Sequence, residues 1–172
     1  MDDQAFNAFF EATRKPLQAY LWRVSGNAAL AEDLLQESYL RFLAKPPASA
    51  EPGPRRAYLF TVALRLLQDH WRREAPRRWL PLPWRDEDPW PEPPCPEPGP
   101  EREALGLQEV ALGFEALPPR QRSLLWLAYV EGLDHRELAR AMAIREGSVK
   151  VLLHRARARM AAALGALTGG TP

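Results

Sequence analysis

A proline-rich segment in the middle of the chain is the strongest constraint on its fold. Residues 81–100 contain nine prolines, two tryptophans and a cluster of acidic side chains. Proline lacks a backbone N–H and its ring clashes inside a helix, so this segment cannot belong to a packed helical core. It predicts an extended linker with polyproline character, able to span up to ~60 Å at ~3.1 Å per residue. The chain therefore divides into residues 1–80, a linker over 81–104, and residues 105–172.

The residues before the linker contain three stretches with the apolar spacing of amphipathic helices. These stretches are residues 4–24, 28–44 and 55–74, and a Pro/Ala/Gly-rich loop over 45–55 separates the last two. Pro16 leaves open whether the first stretch is one kinked helix or two pieces. The side chains predicted to face inward include Leu17, Tyr20, Leu34, Leu35, Tyr39, Phe42, Leu43, Leu59, Ala63 and Leu67. Three helices of this kind predict a small all-α bundle.

The residues after the linker also predict helices. The first runs over 101–116, and the second begins at Leu117 with proline near its start. The side chains expected to pack from these two helices are Leu105, Val110, Leu112, Phe114, Leu124, Leu125, Leu127, Ala128 and Val130. Gly132 is expected to end the second helix. The whole chain is therefore predicted to be all-α, with two small helical domains joined by a Pro-rich acidic linker.

Residues 134–160 predict a helix-turn-helix. Leu138 on the first helix and Val149 on the second belong to apolar faces with three-and-four spacing. Ser148 is expected to cap the second helix, and Ala143 to adopt the positive φ usually given to glycine, at a cost of ~1 kcal/mol. The exposed side of the second helix is basic, which suits entry into a major groove. A solvated amphipathic surface helix is the alternative interpretation.

The charge distribution and the single cysteine exclude several classes of protein. The formal net charge of +1 combines +3 in residues 1–80, −5 in 81–104 and +3 in 105–172, so we expect DNA binding to need help from a partner. Cys95 alone allows neither an intrachain disulfide nor a Cys-rich zinc site. No apolar run approaches membrane-spanning length, and the N-terminus is acidic where a signal peptide is basic. A cytoplasmic protein without membrane insertion is expected.

The sequence shows no catalytic constellation. Three histidines, His70, His135 and His154, are scattered over basic helices, and none has a second ligand and a carboxylate at metal-binding spacing. There is no glycine loop of the kind that cradles phosphates. The chain is therefore predicted not to be an enzyme and to need no metal or cofactor.

Three stretches, in this order and spacing, resemble the group IV, extracytoplasmic-function sigma factors of bacterial RNA polymerase. They are AEDLLQESYLRFL, RAYLFTVALRLLQDHWRRE and LPPRQRSLLWLAYVEGLDHRELARAMAIREGSVKVLLHRARARM. The resemblance implies a promoter-specificity subunit that binds core polymerase and melts DNA. Residues 1–80 would correspond to sigma region 2, which docks on the polymerase clamp and opens the −10 element. Residues 105–172 would correspond to region 4, which reads the double-stranded −35 element and contacts the flap. An anti-sigma factor is implied as a further partner.

The resemblance also implies roles for residues of the second domain. The positions at which the family's recognition helix meets base edges are Lys150, Val151, His154 and Arg155. Lysine and arginine can donate to guanine acceptors, and valine can contact a thymine methyl, whereas a histidine on a helix surface is often only solvated. The residues expected to bind phosphates, which position the helix without specifying sequence, are Arg122, Ser148 and Arg157.

In the first domain the resemblance implies two surfaces. The clamp-docking surface corresponds to the outer side of the second helix, with Asp33, Gln36, Glu37 and Arg41. The residues expected to contact the melted −10 strand are Lys45, Arg65, Asp69, Arg72 and Arg73. The 45–55 loop would help to capture a flipped base at its Watson–Crick edge, although it is richer in proline than the family's loops. Trp71 is either a stacking wedge or, with greater weight, part of the core.

Two other functions are compatible with parts of the sequence. A two-domain helix-turn-helix regulator would act without core polymerase and bind a palindromic site as a dimer. A helical adaptor would bind no DNA at all. The linker's acidity has two interpretations as well, since it can mimic a polyanion in a basic channel of polymerase or serve as a plain spacer.

Overall fold

The computed structural model describes residues 2–74 and 107–168, with side chains over 2–74 and 110–166. These residues form seven α-helices and contain no strand. The helices are α1 (Asp3–Ser25), α2 (Ala28–Ala44), α3 (Pro52–Glu74), α4 (Leu107–Glu115), α5 (Pro119–Tyr129), α6 (His135–Met142) and α7 (Glu146–Thr168). The all-α prediction is confirmed. The linker predicted over 81–104 lies outside the described residues, as does the start of the helix predicted from 101.

Local hydrogen bonds set the ends of the first two helices. The Asp2 carboxylate accepts from the Ala5 N–H at 2.7 Å and begins α1. Gly26 ends α1 in the left-handed conformation, with φ of 69°, which glycine adopts without steric cost. The Asn27 side chain then accepts from the Leu30 N–H at 3.0 Å and begins α2. Two residues therefore suffice to reverse the chain between α1 and α2.

The first three helices form a bundle with an aromatic core. Pro16 lies inside α1, which remains one continuous helix, so the alternative of two pieces is wrong. The rings of Phe9 and Phe42 stack at 5.0 Å between centroids, and Thr13 shares a buried hydrogen bond of 2.7 Å with the Tyr39 hydroxyl. Trp71 is partly buried against this core, as the core interpretation predicts.

The last four helices pack around aliphatic side chains. The fully buried ones include Leu124 and Leu127 of α5, Leu138 of α6 and Val149 of α7. The start of α6 has a capping box, in which Asp134 accepts from the Glu137 N–H and Glu137 accepts from the Asp134 N–H. The short α6 is thereby closed at its N-terminus.

Several sequence predictions about individual residues are wrong. Leu43, Val110, Leu112 and Val130, expected to pack inward, are exposed by 49%, 39%, 46% and 60%. Ser148 is not the N-cap of α7, because the helix already begins at Glu146 and the Ser148 N–H bonds the Arg145 carbonyl at 3.0 Å. The helix α3 begins at Pro52 rather than 55, which shortens the preceding loop.

The two groups of helices share one contiguous hydrophobic core. The contact is made by α1 and α3 on one side and by α5 and α6 on the other. Tyr20 of α1 lies at its centre, fully buried, with its ring 5.5 Å from that of Phe60 and 6.4 Å from that of Trp126. We call residues 2–74 the first half and 107–168 the second half. Among these residues, no helix is both long and apolar enough to cross a membrane.

Candidate nucleic-acid interface

The turn between α6 and α7 has the geometry expected of a helix-turn-helix. Ala143 has φ of 54° and ψ of 47°, which confirms the prediction of a positive φ at this residue. The N–H groups of Ala143 and Ile144 both bond the Ala139 carbonyl, the latter at 3.0 Å. This left-handed residue ends α6 abruptly and allows α7 to leave at a new angle.

The helix α7 presents several of the predicted base-contacting residues to solvent. Lys150, Val151 and His154 are exposed, while Val149, Leu153 and Ala156 are buried beneath them. Residues 150 and 154 lie one turn apart on one face, with Val151 beside them. An exposed valine next to a lysine offers both a methyl contact and a hydrogen-bond donor to a base edge.

Two of the other predicted DNA contacts on α7 are partly covered. Arg155 is half-buried, and its Nε is buried without a hydrogen-bond partner. Ser148 is also half-buried. Arg157 is exposed and lies over the ring of Tyr129, 6.0 Å from its centroid. Tyr129 is itself exposed by 58%, so this cation–π contact holds the guanidinium at the surface.

Arg122, predicted to bind a phosphate, binds backbone carbonyls instead in this structure. Its Nε donates to the Leu117 carbonyl at 2.8 Å, one Nη donates to Val24 at 3.2 Å, and the other donates to Glu115. Burial lowers the pKa of this guanidinium. A phosphate contact at Arg122 would therefore require at least one of these bonds to be exchanged.

Four of the five residues predicted for the −10 strand lie together on α3. Arg65, Arg72 and Arg73 are exposed, and Asp69 is half-buried. The Asp69 carboxylate pairs with Arg72 at 3.2 Å, and its carbonyl accepts from Arg73 Nε at 3.3 Å. The aspartate therefore orients both arginines at the C-terminal end of the helix.

Lys45 lies apart from this group. Its carbonyl accepts a hydrogen bond of 2.8 Å from the hydroxyl of Tyr58, near the start of α3. Residues 58 and 72 are separated by roughly 20 Å along a helix that rises 1.5 Å per residue. The structure therefore brings the −10 residues of α3 together but does not bring Lys45 to them.

The outer side of α2 combines charges with exposed leucines. Asp33, Gln36 and Arg41 are exposed, and Arg41 pairs with the half-buried Glu37 at 2.7 Å. Leu40 is 62% exposed and Leu43 49% exposed, beside these charges. Sequence reasoning missed both leucines as surface residues. Leu40 falls three residues after Glu37 and four after Gln36, so its helical position could have revealed it.

Sequence reasoning also missed the polar contacts between the two halves. Arg56 of α3 contacts Glu131, which follows α5, with Nη2 at 2.5 Å and Nε at 2.8 Å from the same carboxylate oxygen. The hydroxyl of Tyr20 donates to Ser123 Oγ at 3.2 Å. Burial raises the pKa of Tyr20, and the Glu131 carboxylate adds to this effect. No cluster of three potential metal ligands occurs in the part of the chain that the structure describes.

Comparison with protein families gives one match for each half of the chain. Residues 9–77 match the family model of Sigma-70 region 2, and residues 107–160 match that of Sigma-70, region 4. The boundary between the two matches falls in the proline-rich segment.

Curated proteins similar to this chain carry the description ECF RNA polymerase sigma factor. SigF of Caulobacter vibrioides is 36% identical over 141 residues, which covers 81% of this chain and 74% of that protein. SigL of Mycobacterium tuberculosis is 32% identical over 148 residues, covering 86% and 81%. SigE of Mycolicibacterium smegmatis is 30% identical over 143 residues, and the chain spans only 53% of its length.

A solved structure with a similar fold is that of the sigma factor RpoE in complex with the anti-sigma factor NepR from Bartonella quintana. Its TM-score is 0.67, and the match covers 92% of this chain and 96% of that one. The sequence identity is 21%, so this likeness concerns the fold.

Proposed function

The chain belongs to the extracytoplasmic-function sigma factors of RNA polymerase, and from that premise we propose that it confers promoter specificity through three separate surfaces. One lies on α7, one on the C-terminal end of α3, and one on the outer side of α2. The observation that carries the proposal is the exposed face of Lys150, Val151 and His154 on a helix whose other side is buried, after a left-handed turn at Ala143.

On α7, we assign base contacts at the −35 element to Lys150, Val151, His154 and Arg155. The first three are exposed, so they reach a major groove without rearrangement. Arg155 is half-buried and its Nε is buried, so a base contact at this residue requires the side chain to turn outward. Arg157, held over Tyr129, is suited to a phosphate. Ser148 and Arg122 complete the proposed phosphate contacts.

On α3, we assign contacts with the melted −10 strand to Arg65, Asp69, Arg72 and Arg73. The ordered Asp69–Arg72 pair can present donors to an unpaired base, and the exposed arginines can bind the strand's phosphates. Lys45 remains a proposed contact at the other end of α3, where it would meet the strand separately.

On α2, we assign clamp docking to Asp33, Gln36, Glu37 and Arg41, and add the exposed Leu40 and Leu43. A mixed acidic and apolar face is suited to a protein partner, because apolar contacts supply affinity while charges set orientation. The second half would contact the polymerase flap. An anti-sigma factor is a further proposed partner, since the RpoE structure contains one.

The chain is proposed to act by binding alone, in the cytoplasm where bacterial polymerase works, without catalysing a reaction. Binding to single-stranded promoter DNA stabilises the open duplex and shifts a melting equilibrium. A helix-turn-helix regulator independent of polymerase is not favoured, because the family matches cover both halves.

The primary test is in vitro transcription with core polymerase and a library of promoter sequences. We expect start sites that depend on adding this chain. If no start site depends on it, the proposed function is wrong.

A second test separates the −35 contacts from polymerase binding. Replacing Lys150 and Arg155 together by alanine is expected to lower −35 recognition by roughly 30-fold or more, because each of the two base contacts contributes about 1–3 kcal/mol. Affinity for core polymerase should not change. The matched control is Arg159→Ala, which removes an exposed cation on the same helix, about 180° around the axis from Lys150. Loss of polymerase affinity in the double variant would contradict this division of roles.

A further inference from the structure

An exposed tyrosine at the end of α5 contacts a cation of α7. Tyr129 is the last residue of α5, and its side chain is 58% exposed. The Arg157 guanidinium carbon lies over its ring, 6.0 Å from the centroid, and Arg157 is itself exposed. Because most of Tyr129 remains in contact with water, it contributes less to the hydrophobic core than a buried ring would. The contact with Arg157 is the specific interaction that the structure shows for this ring.

Arg157 lies on the same face of α7 as two of the proposed base contacts. A helix turns by about 100° per residue, so Arg157 is only about 20° from Lys150 around the axis after seven residues. His154 lies between them along the helix, about 40° from Lys150. All three side chains are exposed. Arg157 therefore continues the row that begins at Lys150.

The distance along this row places Arg157 at the edge of the groove. Lys150 and Arg157 are about 10 Å apart along a helix that rises 1.5 Å per residue. In a helix-turn-helix, the N-terminal residues of the recognition helix contact base edges inside a major groove about 12 Å wide. A residue two turns later lies at the rim of that groove, beside the phosphates. Since α5 packs against α7, the Tyr129 ring lies at the same rim.

The ring can fix the guanidinium without occupying its hydrogen-bond donors. A cation–π contact is an electrostatic attraction to the face of the ring, so it does not compete with a phosphate oxygen for an N–H. Arg122 differs in this respect, because its donors bind backbone carbonyls. An arginine that is already held in place also loses less rotamer entropy when it binds an anion. Tyr129 thus prepares Arg157 for a phosphate.

We propose that Tyr129 is a positioning residue for DNA binding, whose ring holds the Arg157 guanidinium at the rim of the major groove, where it binds a backbone phosphate. Affinity for DNA then depends on α5 as well as on the helix-turn-helix. This inference rests on the proposed function in one respect, which is that α7 binds duplex DNA. A phosphate contact carries no sequence information, so Tyr129 should affect binding to any duplex.

The first experiment measures binding of the full chain to a short duplex of mixed sequence at low salt, by fluorescence anisotropy. Arg157→Ala should reduce the slope of log affinity against log salt by about 0.9, because one phosphate contact is lost. Tyr129→Ala should lower affinity about two- to fivefold, the range expected for an exposed cation–π contact. In the Arg157→Ala background, Tyr129→Ala should cause no further loss. An unchanged salt slope, independent effects of the two substitutions, or no measurable binding would overturn the inference.

A series of substitutions at residue 129 separates the ring from the hydroxyl and from apolar bulk. Tyr129→Phe and Tyr129→Trp keep an aromatic face and should retain the affinity of the unsubstituted chain. Tyr129→Leu keeps apolar bulk but has no ring, so it should match Tyr129→Ala. The control is Val130→Ala, which removes an adjacent side chain that is 60% exposed and should leave affinity unchanged. Equal losses in Tyr129→Phe and Tyr129→Ala would assign the effect to the hydroxyl and overturn the positioning role.

Two further measurements separate this role from a structural one and from contact with polymerase. Urea unfolding of Tyr129→Ala should give nearly the stability of the unsubstituted chain, because the side chain is largely exposed. Its affinity for core polymerase in the absence of DNA should also be unchanged. A loss of polymerase affinity would place Tyr129 on a polymerase-binding surface and overturn the inference.

The outcomes also distinguish this inference from the proposed function. If Tyr129 and Arg157 are coupled in duplex binding but no start site depends on the chain, the proposed function fails and the positioning role stands. If transcription depends on the chain but the two substitutions act independently, the positioning role fails alone.

Discussion

The outer side of α2 and the contact between the two halves use similar residues in opposite ways. Each has an Arg–Glu pair, Arg41 with Glu37 on α2 and Arg56 with Glu131 between the halves. Both partners of the first pair are more than 40% exposed, whereas the Glu131 side chain is 1% exposed. The role of an Arg–Glu ion pair therefore depends on how deeply it is buried. An exposed pair leaves its charges available to a partner, while a buried pair fixes the position of two segments.

The apolar residues show the same contrast. Leu40 and Leu43 are exposed beside the α2 charges, whereas Tyr20 is fully buried at the contact between the halves. Substitutions at the contact should therefore change stability, and those on α2 should change affinity for polymerase. The following predictions test this separation, beginning with the largest effect.

The largest effect is expected from Tyr20→Ala. Tyr20 fills the space between Phe60 and Trp126, so its removal should lower the free energy of unfolding by roughly 3–5 kcal/mol. Urea unfolding followed by circular dichroism measures this loss. Trp22→Ala, on the same helix but 48% exposed, is the control and should cost less than about 1 kcal/mol. If the two variants lost equal free energy of unfolding, the proposed difference between the buried contact and the exposed surface would be wrong.

Tyr20→Phe should have a smaller effect with a characteristic pH dependence. Losing the hydroxyl leaves Ser123 Oγ without this buried partner and should cost about 1 kcal/mol at neutral pH. Burial raises the pKa of Tyr20 above its ordinary value of 10.0, so folding favours the protonated phenol. The contribution of the protonated Tyr20 phenol to the free energy of unfolding is fully present below about pH 10, and it is lost as the pH rises further. As the pH rises above 10, the free energy of unfolding should therefore fall more for the unsubstituted chain than for Tyr20→Phe. Urea unfolding of the two proteins at the same series of pH values measures this difference.

Ala143→Gly should stabilise the second half without changing the contact. The left-handed backbone at Ala143 is strained for alanine and unstrained for glycine, although glycine adds flexibility to the unfolded chain. The net gain is expected to be about 0.5–1 kcal/mol, measured by thermal unfolding. Gly132 already has φ of 70°, so Gly132→Ala should have the opposite sign. A loss of stability in Ala143→Gly would contradict the assignment of strain to this turn.

The smallest change in stability is expected from Leu40→Ser combined with Leu43→Ser. Both side chains are exposed, so the free energy of unfolding should change by no more than about 0.5 kcal/mol per site. Affinity for core polymerase, measured by fluorescence titration, should nevertheless fall because apolar contact area is lost. Ala28→Ser, exposed at the start of α2, is the control. Unchanged affinity would exclude the two leucines from the docking surface.

The parts of the fold that follow from local spacing could be predicted from the sequence. The apolar periodicity of residues 134–160 and the position of Ala143 predict α6, α7 and the left-handed turn, all of which the structure contains. Leu138 and Val149, predicted to lie on the apolar faces, are both fully buried. Helix and turn geometry act over three or four residues, so a window of this length contains the necessary information.

Errors arose where apolar character was taken to mean burial. Leu43 follows Phe42 directly, and one residue turns a helix by about 100°, so the two side chains point to different sides. Phe42 is 1% exposed and Leu43 is 49% exposed. Apolar character alone does not distinguish such residues from the core, whereas their position around the helix does. Ser148 was misassigned for another reason, because Glu146 already begins the helix.

The contact between the halves has no local signature. Arg56 and Glu131 are 75 residues apart, and Tyr20 and Ser123 are 103 apart. Neither arginine nor glutamate is unusual in its own segment, so their pairing depends on how the bundles pack. The DNA-binding roles assigned to α7 and α3 likewise remain predictions, since they concern molecules outside the chain.

The three hydrogen bonds of Arg122 have a consequence for its proposed phosphate contact. Two of them stay within the second half, at Leu117 and Glu115, and the third reaches Val24 in the first half. A phosphate at Arg122 would have to replace one of these acceptors, and replacing Val24 would leave the side chain held by the two bonds within the second half. A phosphate oxygen is a stronger acceptor for a guanidinium than a backbone carbonyl is. The proposed phosphate contact at Arg122 would therefore cost one hydrogen bond between the two halves.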